Sequence, residues 1–191
     1  QQFETFAKMI PADGSYIYCA DDSVLSEMSN KIEHPNKKGY SMLPHTIVNG
    51  TTILNTSEGD FPLQIFGKHN LANLNAAKLA CNAVGISDLQ FYNAITSFKG
   101  ASNRLELLYK DEQTAAYKDF AHSPSKLKAT ITAVREQYPD KKLVACMELH
   151  TFSSLTEEFL QQYAGCMDNA DIPIIFFNPE AVKHKKLPPI S

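Results

Sequence analysis

From Asp119 onward, short apolar runs alternate with helical stretches, and that alternation leaves few architectures open. Residues 142–147 and 172–177 read as strands, while 124–138 and 155–163 carry helical periodicity. Strands joined by crossover helices imply a parallel, doubly wound α/β sheet. Ligands of such sheets gather at the carboxyl ends of the strands, where helix starts also offer unpaired amide N–H groups.

The first half is organised differently. An amphipathic opening helix places Phe3, Phe6, Ala7 and Ile10 on one face, followed by a strand over 15–20 and a helix capped near Asp22. Residues 30–45 read as polar and irregular. Asn49-Gly50 between two β-branched runs predicts a type I′ hairpin, and 61–66 a further strand. The best helix covers 71–84, stopped by Gly85, and Ser87 caps the next, which runs to about Phe98. Beyond it, strands over 105–109 and 114–119 flank an Asp-Glu-Gln turn. The change of pattern over 98–104 sets a boundary between domains 1–98 and 99–191.

Composition excludes several function classes. A net charge of −3 gives no general attraction to nucleic acid or membrane, and Lys183, Lys185 and Lys186 lack the interleaved aromatics of a nucleic-acid patch. No apolar run approaches the ~20 residues that span a bilayer. Cys19, Cys81, Cys146 and Cys166 show no C-x-x-C spacing, so buried thiols in a reducing, cytoplasmic setting are expected. The chain carries no G-x-x-x-x-G-K-[ST], G-x-S-x-G or H-E-x-x-H string.

The residues able to carry chemistry stand at helix mouths. Asn70 and Asn73 lie three apart at a helix start, each with a donor and an acceptor suited to an adenine edge; the plain alternative is a capping Asn70 and a solvated Asn73. Asp119 ends a strand, with His122 three residues on and Pro124 opening a helix, so Asp119 can accept from ribose hydroxyls and His122 can approach a phosphate. The alternative there is a capping arrangement through Asp119 or Ser123. Arg104, at the joint, offers a planar fork for phosphate or an adenine face. His150, between Glu148 and Thr151, ends another strand. A metal site from Glu148, His150 and His122 is not demanded by the spacing.

Taken together, Gly67-Lys68-His69-Asn70-Leu71-Ala72-Asn73, Phe98-Lys99-Gly100-Ala101-Ser102-Asn103-Arg104-Leu105-Glu106 and Asp119-Phe120-Ala121-His122-Ser123-Pro124 resemble, in order, G-x-H-N-x-x-N, F-x-G-x-x-x-R-x-E and D-[YF]-A-H-x-P of the Mur ligase family of peptidoglycan synthesis. Asn103 and Ser123 stand where the family commonly has Arg and His. The resemblance implies the end of a Mur-type ATPase domain (1–98), followed by a Rossmann-like C-terminal domain with a mainly parallel sheet (99–191). It implies that Asn73, helped by Asn70, meets the adenine of ATP, Arg104 the nucleotide, Asp119 the ribose and His122 the phosphates, the domains closing on one nucleotide. His150 is a candidate substrate contact.

The implied reaction joins L-alanyl-γ-D-glutamyl-meso-diaminopimelate to UDP-N-acetylmuramate through an acyl phosphate made from ATP, in peptidoglycan recycling. Addition of L-alanine alone, in de novo synthesis, is the alternative; a non-catalytic nucleotide-binding module is another. The P-loop and the ligands of Mg2+ are expected upstream of Gln1. On this reading the chain is a fragment, inactive alone, of a ligase whose partners are small molecules.

Overall fold

A computed structural model describes residues 2–185, and the backbone forms two compact units, Gln1–Phe98 and Lys99–Ser191. The first unit runs α1 (Gln2–Lys8), β1 (Tyr16–Cys19), α2 (Ser23–Asn30), β2 (Lys37–Tyr40), β3 (His45–Val48), β4 (Thr51–Thr56), β5 (Gly59–Leu63), α3 (Lys68–Ala83) and α4 (Asp88–Ile95). Strands β3, β4 and β5 form an antiparallel meander. Its first turn has Asn49 at φ 49° and Gly50 at φ 69°, the two left-handed positions a type I′ turn requires. The meander's inner face, Leu54, Phe61 and Leu63, meets Leu71 and Leu74 of α3 and Phe91 and Tyr92 of α4.

Local chemistry fixes both ends of the α3–α4 connection. Ile86 N–H donates to the Cys81 carbonyl and Gly85 N–H to that of Asn82, a Schellman closure with Gly85 at φ 88°. Ser87 and Gln90 then form a reciprocal capping box at the start of α4. Helix α3 begins three residues earlier than the periodicity predicts. The opening helix also departs from expectation: Ala7 is buried with Tyr16 and Ile32, but Phe3 and Phe6 are exposed.

Strand β2 lies in the stretch expected to be irregular. Lys37-Lys38-Gly39-Tyr40 has no apolar alternation, so its strand character comes from parallel pairing with β1, Tyr16 opposite Lys37 through Cys19 opposite Tyr40. Lys37 is accommodated because its Nζ donates to the carbonyls of Ser29 and Ile32. A Cβ on Gly39 would lie 3.1 Å from the Tyr18 ring, a tight contact that glycine avoids.

The second unit opens with a hairpin, β6 (Glu106–Lys110) and β7 (Ala115–Lys118), bulged between Leu107 and Tyr109. Helix α5 (Pro124–Gln137), β8 (Val144–Leu149), α6 (Glu157–Leu160), β9 (Ile172–Phe177) and α7 (Pro179–His184) follow. Strands β8 and β9 pair in parallel across a crossover, as the alternation predicts. Leu127 and Ile131 of α5, Met147 and Leu149 of β8, and Leu155 form the core. Arg135 of α5 levels the strand starts: its guanidinium donates to the carbonyls of Asn169, Pro139 and Lys141 and to Asp171, whose carboxylate also accepts from Leu143 N–H.

The helix expected over 155–163 is broken into a 3-10 turn at Ser153–Leu155, α6, and a second turn at Gln161–Tyr163. Thr151 and Ser154 bond each other's backbone N–H through their hydroxyls, and Thr156 is extended, so side-chain bonds replace a first helical turn. Helix α7 has no counterpart in the sequence reading. Cys166 is buried, but Cys146, on the outward face of β8, is exposed, against the expectation of buried thiols.

Candidate nucleotide site

At the mouth of α3 the N-cap is Gly67, at φ 91°, with no side-chain cap. Asn70 does not cap: its Nδ2 donates to the Phe66 carbonyl at 2.9 Å, bracing the turn that leads into the helix. Asn73 is exposed, one turn into the helix, its carboxamide presenting both a donor and an acceptor. The helix beneath is held firmly. Leu71 is fully buried, Asn75 Nδ2 donates to the Ser41 carbonyl, and Lys78 reaches both Asp88 and the Tyr92 hydroxyl.

In the second unit the connector before β6 is tightly wound. Gly100, Asn103 and Leu105 all have positive φ, at 92°, 55° and 48°. For buried, branched Leu105 this conformation costs on the order of 1–3 kcal/mol and needs outside support. The Glu106 carboxylate accepts from Asn103 N–H at 2.8 Å and from the Ser102 hydroxyl at 3.1 Å. The Asn103 bond, foremost, holds its carboxyl below the usual glutamate range. Asp119 Oδ1 accepts from Leu105 N–H at 3.1 Å, and Phe120 N–H donates to the Asn103 carbonyl at 2.9 Å. Arg104, between these anchored residues, is exposed.

A cavity of about 900 Å³ lies among β7, α5 and β8, and its wall brings together Asp119, His122 and His150. Asp119 is half-buried; besides the Leu105 bond, its Oδ2 accepts from Thr130 Oγ1 at 2.6 Å. His122 Nδ1 lies 3.1 Å from the Phe120 carbonyl, and His150 Nδ1 3.3 Å from that of Glu148. A carbonyl only accepts, so Nδ1 is the donor in each of these bonds. The Phe120 ring sits 4.9 Å from the His122 ring and 5.7 Å from that of His150. Tyr163 fixes the His122 backbone by donating to its carbonyl at 2.7 Å.

The predicted residues thus fall in three places. Asp119, His122 and His150 share one cavity wall, Arg104 stands on the connector bonded to it, and Asn70 and Asn73 are in the first unit. Sequence reasoning missed Thr130 and Leu105. A threonine in mid-helix and a leucine in the left-handed region carry no local signal. Among the described residues, no three His, Cys, Asp or Glu side chains are grouped to hold a metal ion. The side chains present suit the nucleoside end of ATP rather than its Mg2+.

Fold and site define an α/β protein whose polar groups collect at strand ends and helix starts. No protein-family model matches the chain. It is 27% identical over 186 residues to the UDP-N-acetylmuramate–L-alanine ligase of Arthrobacter sp. strain FB24, covering 92% of this chain and 40% of that protein. The crystal structure of UDP-N-acetylmuramate–alanine ligase from Thermotoga maritima superposes with TM-score 0.65 at 17% identity, over 89% of this chain and 39% of that one. A murein peptide ligase from Psychrobacter arcticus superposes with TM-score 0.54 at 17% identity, over 96% of this chain and 47% of that one. The chain belongs to the Mur ligase family. It spans about 40% of the length of the curated relatives that it matches along most of its own.

Proposed function

We propose that this chain is the adenosine-binding portion of an ATP-dependent, amide-forming ligase acting on UDP-N-acetylmuramate. The observation that carries the reading is the Asp119 carboxylate: half-buried, fixed by two donors, with acceptor capacity left on a cavity wall beside His122 and His150. Asn73 would meet the adenine edge, with Asn70 bracing the turn before it. Arg104 would contact the nucleotide, Asp119 the ribose hydroxyls, and His122 the phosphates. His150 would contact the acceptor substrate. Mg2+ would be held by residues outside those described.

In the reaction proposed, the UDP-N-acetylmuramate carboxylate takes the γ-phosphoryl group of ATP, releasing ADP. The amine of L-alanyl-γ-D-glutamyl-meso-diaminopimelate then attacks the acyl carbon, a proton leaves the nitrogen and phosphate departs. The combination of Arg104-Leu105-Glu106 with Asp119-Phe120-Ala121-His122 supports this tripeptide as the amine. The names of the curated relatives support a second reading, L-alanine as the amine. Among the described residues no helix is long and apolar enough to cross a membrane, and a cytoplasmic location is proposed with the reaction.

Protein expressed from the complete reading frame that encodes residues 1–191 tests this, given UDP-N-acetylmuramate, ATP, Mg2+ and one of the two amines, with product mass as readout. The tripeptide adduct, formed only with ATP, is expected. The L-alanine adduct alone would select the second reading. ATP binding with neither product would mark a non-catalytic nucleotide-binding module.

A further inference from the structure

Thr130 has no part in the ligase reading, yet it makes the shorter of the two bonds to the proposed ribose acceptor, 2.6 Å from its Oγ1 to Asp119 Oδ2. That length is typical of a charge-assisted O–H···O⁻ bond. The second bond, from Leu105 N–H to Oδ1 at 3.1 Å, comes from a different element. A carboxylate offers about four acceptor positions, so one donor on each oxygen leaves one position free on each. Two donors from two elements also fix the rotation of the carboxylate, which a solvated aspartate lacks.

A threonine hydroxyl in mid-helix ordinarily bonds back to the carbonyl one turn earlier. In α5 it bonds Asp119 instead, and the β-branch restricts its rotamer. Thr130, Asp119 and Leu105 all line the same cavity as His122 and His150. Asp119 is therefore both the support of left-handed Leu105 and a carboxylate aimed by Thr130.

We propose that Thr130 is a positioning residue: it orients Asp119 so that the two free acceptor positions take the ribose hydroxyls together. The proposal rests on the nucleotide reading above. It makes ribose recognition depend on a side chain that does not itself touch the ligand.

The test is a nuclear magnetic resonance titration, with ATP and with 2′,3′-dideoxy-ATP, of protein expressed from the complete reading frame that encodes residues 1–191, selectively labelled to follow the Asn73 side-chain amide and the Leu105 backbone amide. Wild-type protein should bind ATP at least about ten-fold more tightly than the dideoxy analogue, ten-fold being the lower end of what one hydrogen bond to a charged acceptor is worth. Thr130→Val should weaken ATP about ten-fold and leave the dideoxy analogue unchanged. Thr130→Ser, which keeps the hydroxyl, should stay within about three-fold of wild type for both. If Thr130→Val weakens both nucleotides equally, or neither, while Asn73 still responds to ATP, the positioning role is refuted and the nucleotide reading stands. If neither nucleotide moves Asn73 or Leu105 in the wild-type chain, the nucleotide reading is refuted and this proposal with it.

Discussion

Replacing Leu71 by alanine separates scaffold from site on one helix turn. Leu71 is fully buried, and it packs in the cluster with Leu54, also fully buried, and with Phe91 and Tyr92. Leucine-to-alanine changes in cores cost about 2–5 kcal/mol, the upper part arising where the surroundings cannot collapse into the space left. Here α3 is held along its length by the Asn75–Ser41 bond, the Lys78 contacts and the Schellman closure at Gly85. Little collapse is available, so about 3–5 kcal/mol is expected, a large share of the roughly 5–15 kcal/mol that holds a domain together. Asn73, two residues on and exposed, should change stability by less than about 0.5 kcal/mol when replaced by alanine. Two compact units need not unfold in one transition, so the measurement is hydrogen exchange read by mass spectrometry on peptides from residues 1–98. Leu71→Ala should lose protection across α3, α4 and the meander; Asn73→Ala should keep it. A cost under about 1 kcal/mol for Leu71→Ala, or above about 2 kcal/mol for Asn73→Ala, would refute the division of roles.

Three further outcomes follow from named contacts. Gly85→Ala meets no atom within 4 Å, so its cost is purely that of a left-handed alanine, about 1–2 kcal/mol, seen as a lower thermal midpoint. The Asn82 amide, foremost, and then Lys78 hold the Asp88 carboxyl below its ordinary value, against the opposing effect of burial. A depressed carboxyl stabilises above its unfolded value near 4 and loses that effect as the pH falls through the folded value. The stability advantage of wild type over Asp88→Asn should therefore be constant near neutrality and shrink below about pH 4; an advantage that grows on acidification would contradict the assignment. Residues 1–191 alone should neither hydrolyse ATP measurably nor form the ligase product, since the sequence contains no P-loop string to stabilise charge in phosphoryl transfer. Robust turnover by the purified chain would contradict this.

What was legible in the sequence was local. The Asn49-Gly50 turn, the Gly85 stop and the Ser87 cap are each decided by a few adjacent residues, and each stands in the structure as the residues dictate. Strand β2 was not legible, because Lys37-Lys38-Gly39-Tyr40 becomes a strand only through its pairing with β1 and through the Lys37 contacts. The broken helix after β8 was misread because the apolar period continues through a stretch where Thr151 and Ser154 bond the backbone themselves. At the site, Asp119 and His122 announce themselves by standing between a strand and a Pro-started helix. Thr130 and the left-handed Leu105 meet Asp119 only in three dimensions.

Photolabelling with 8-azido-ATP tests the central claim most directly, because the azide reports what lies against the adenine. The protein is that expressed from the complete reading frame encoding residues 1–191, and labelled peptides are identified by mass spectrometry. ATP-suppressible label is expected on the peptide spanning residues 67–73, sharply reduced by Asn73→Ala. ATP-suppressible label confined to other peptides, or label at 67–73 that excess ATP does not suppress, would contradict the claim.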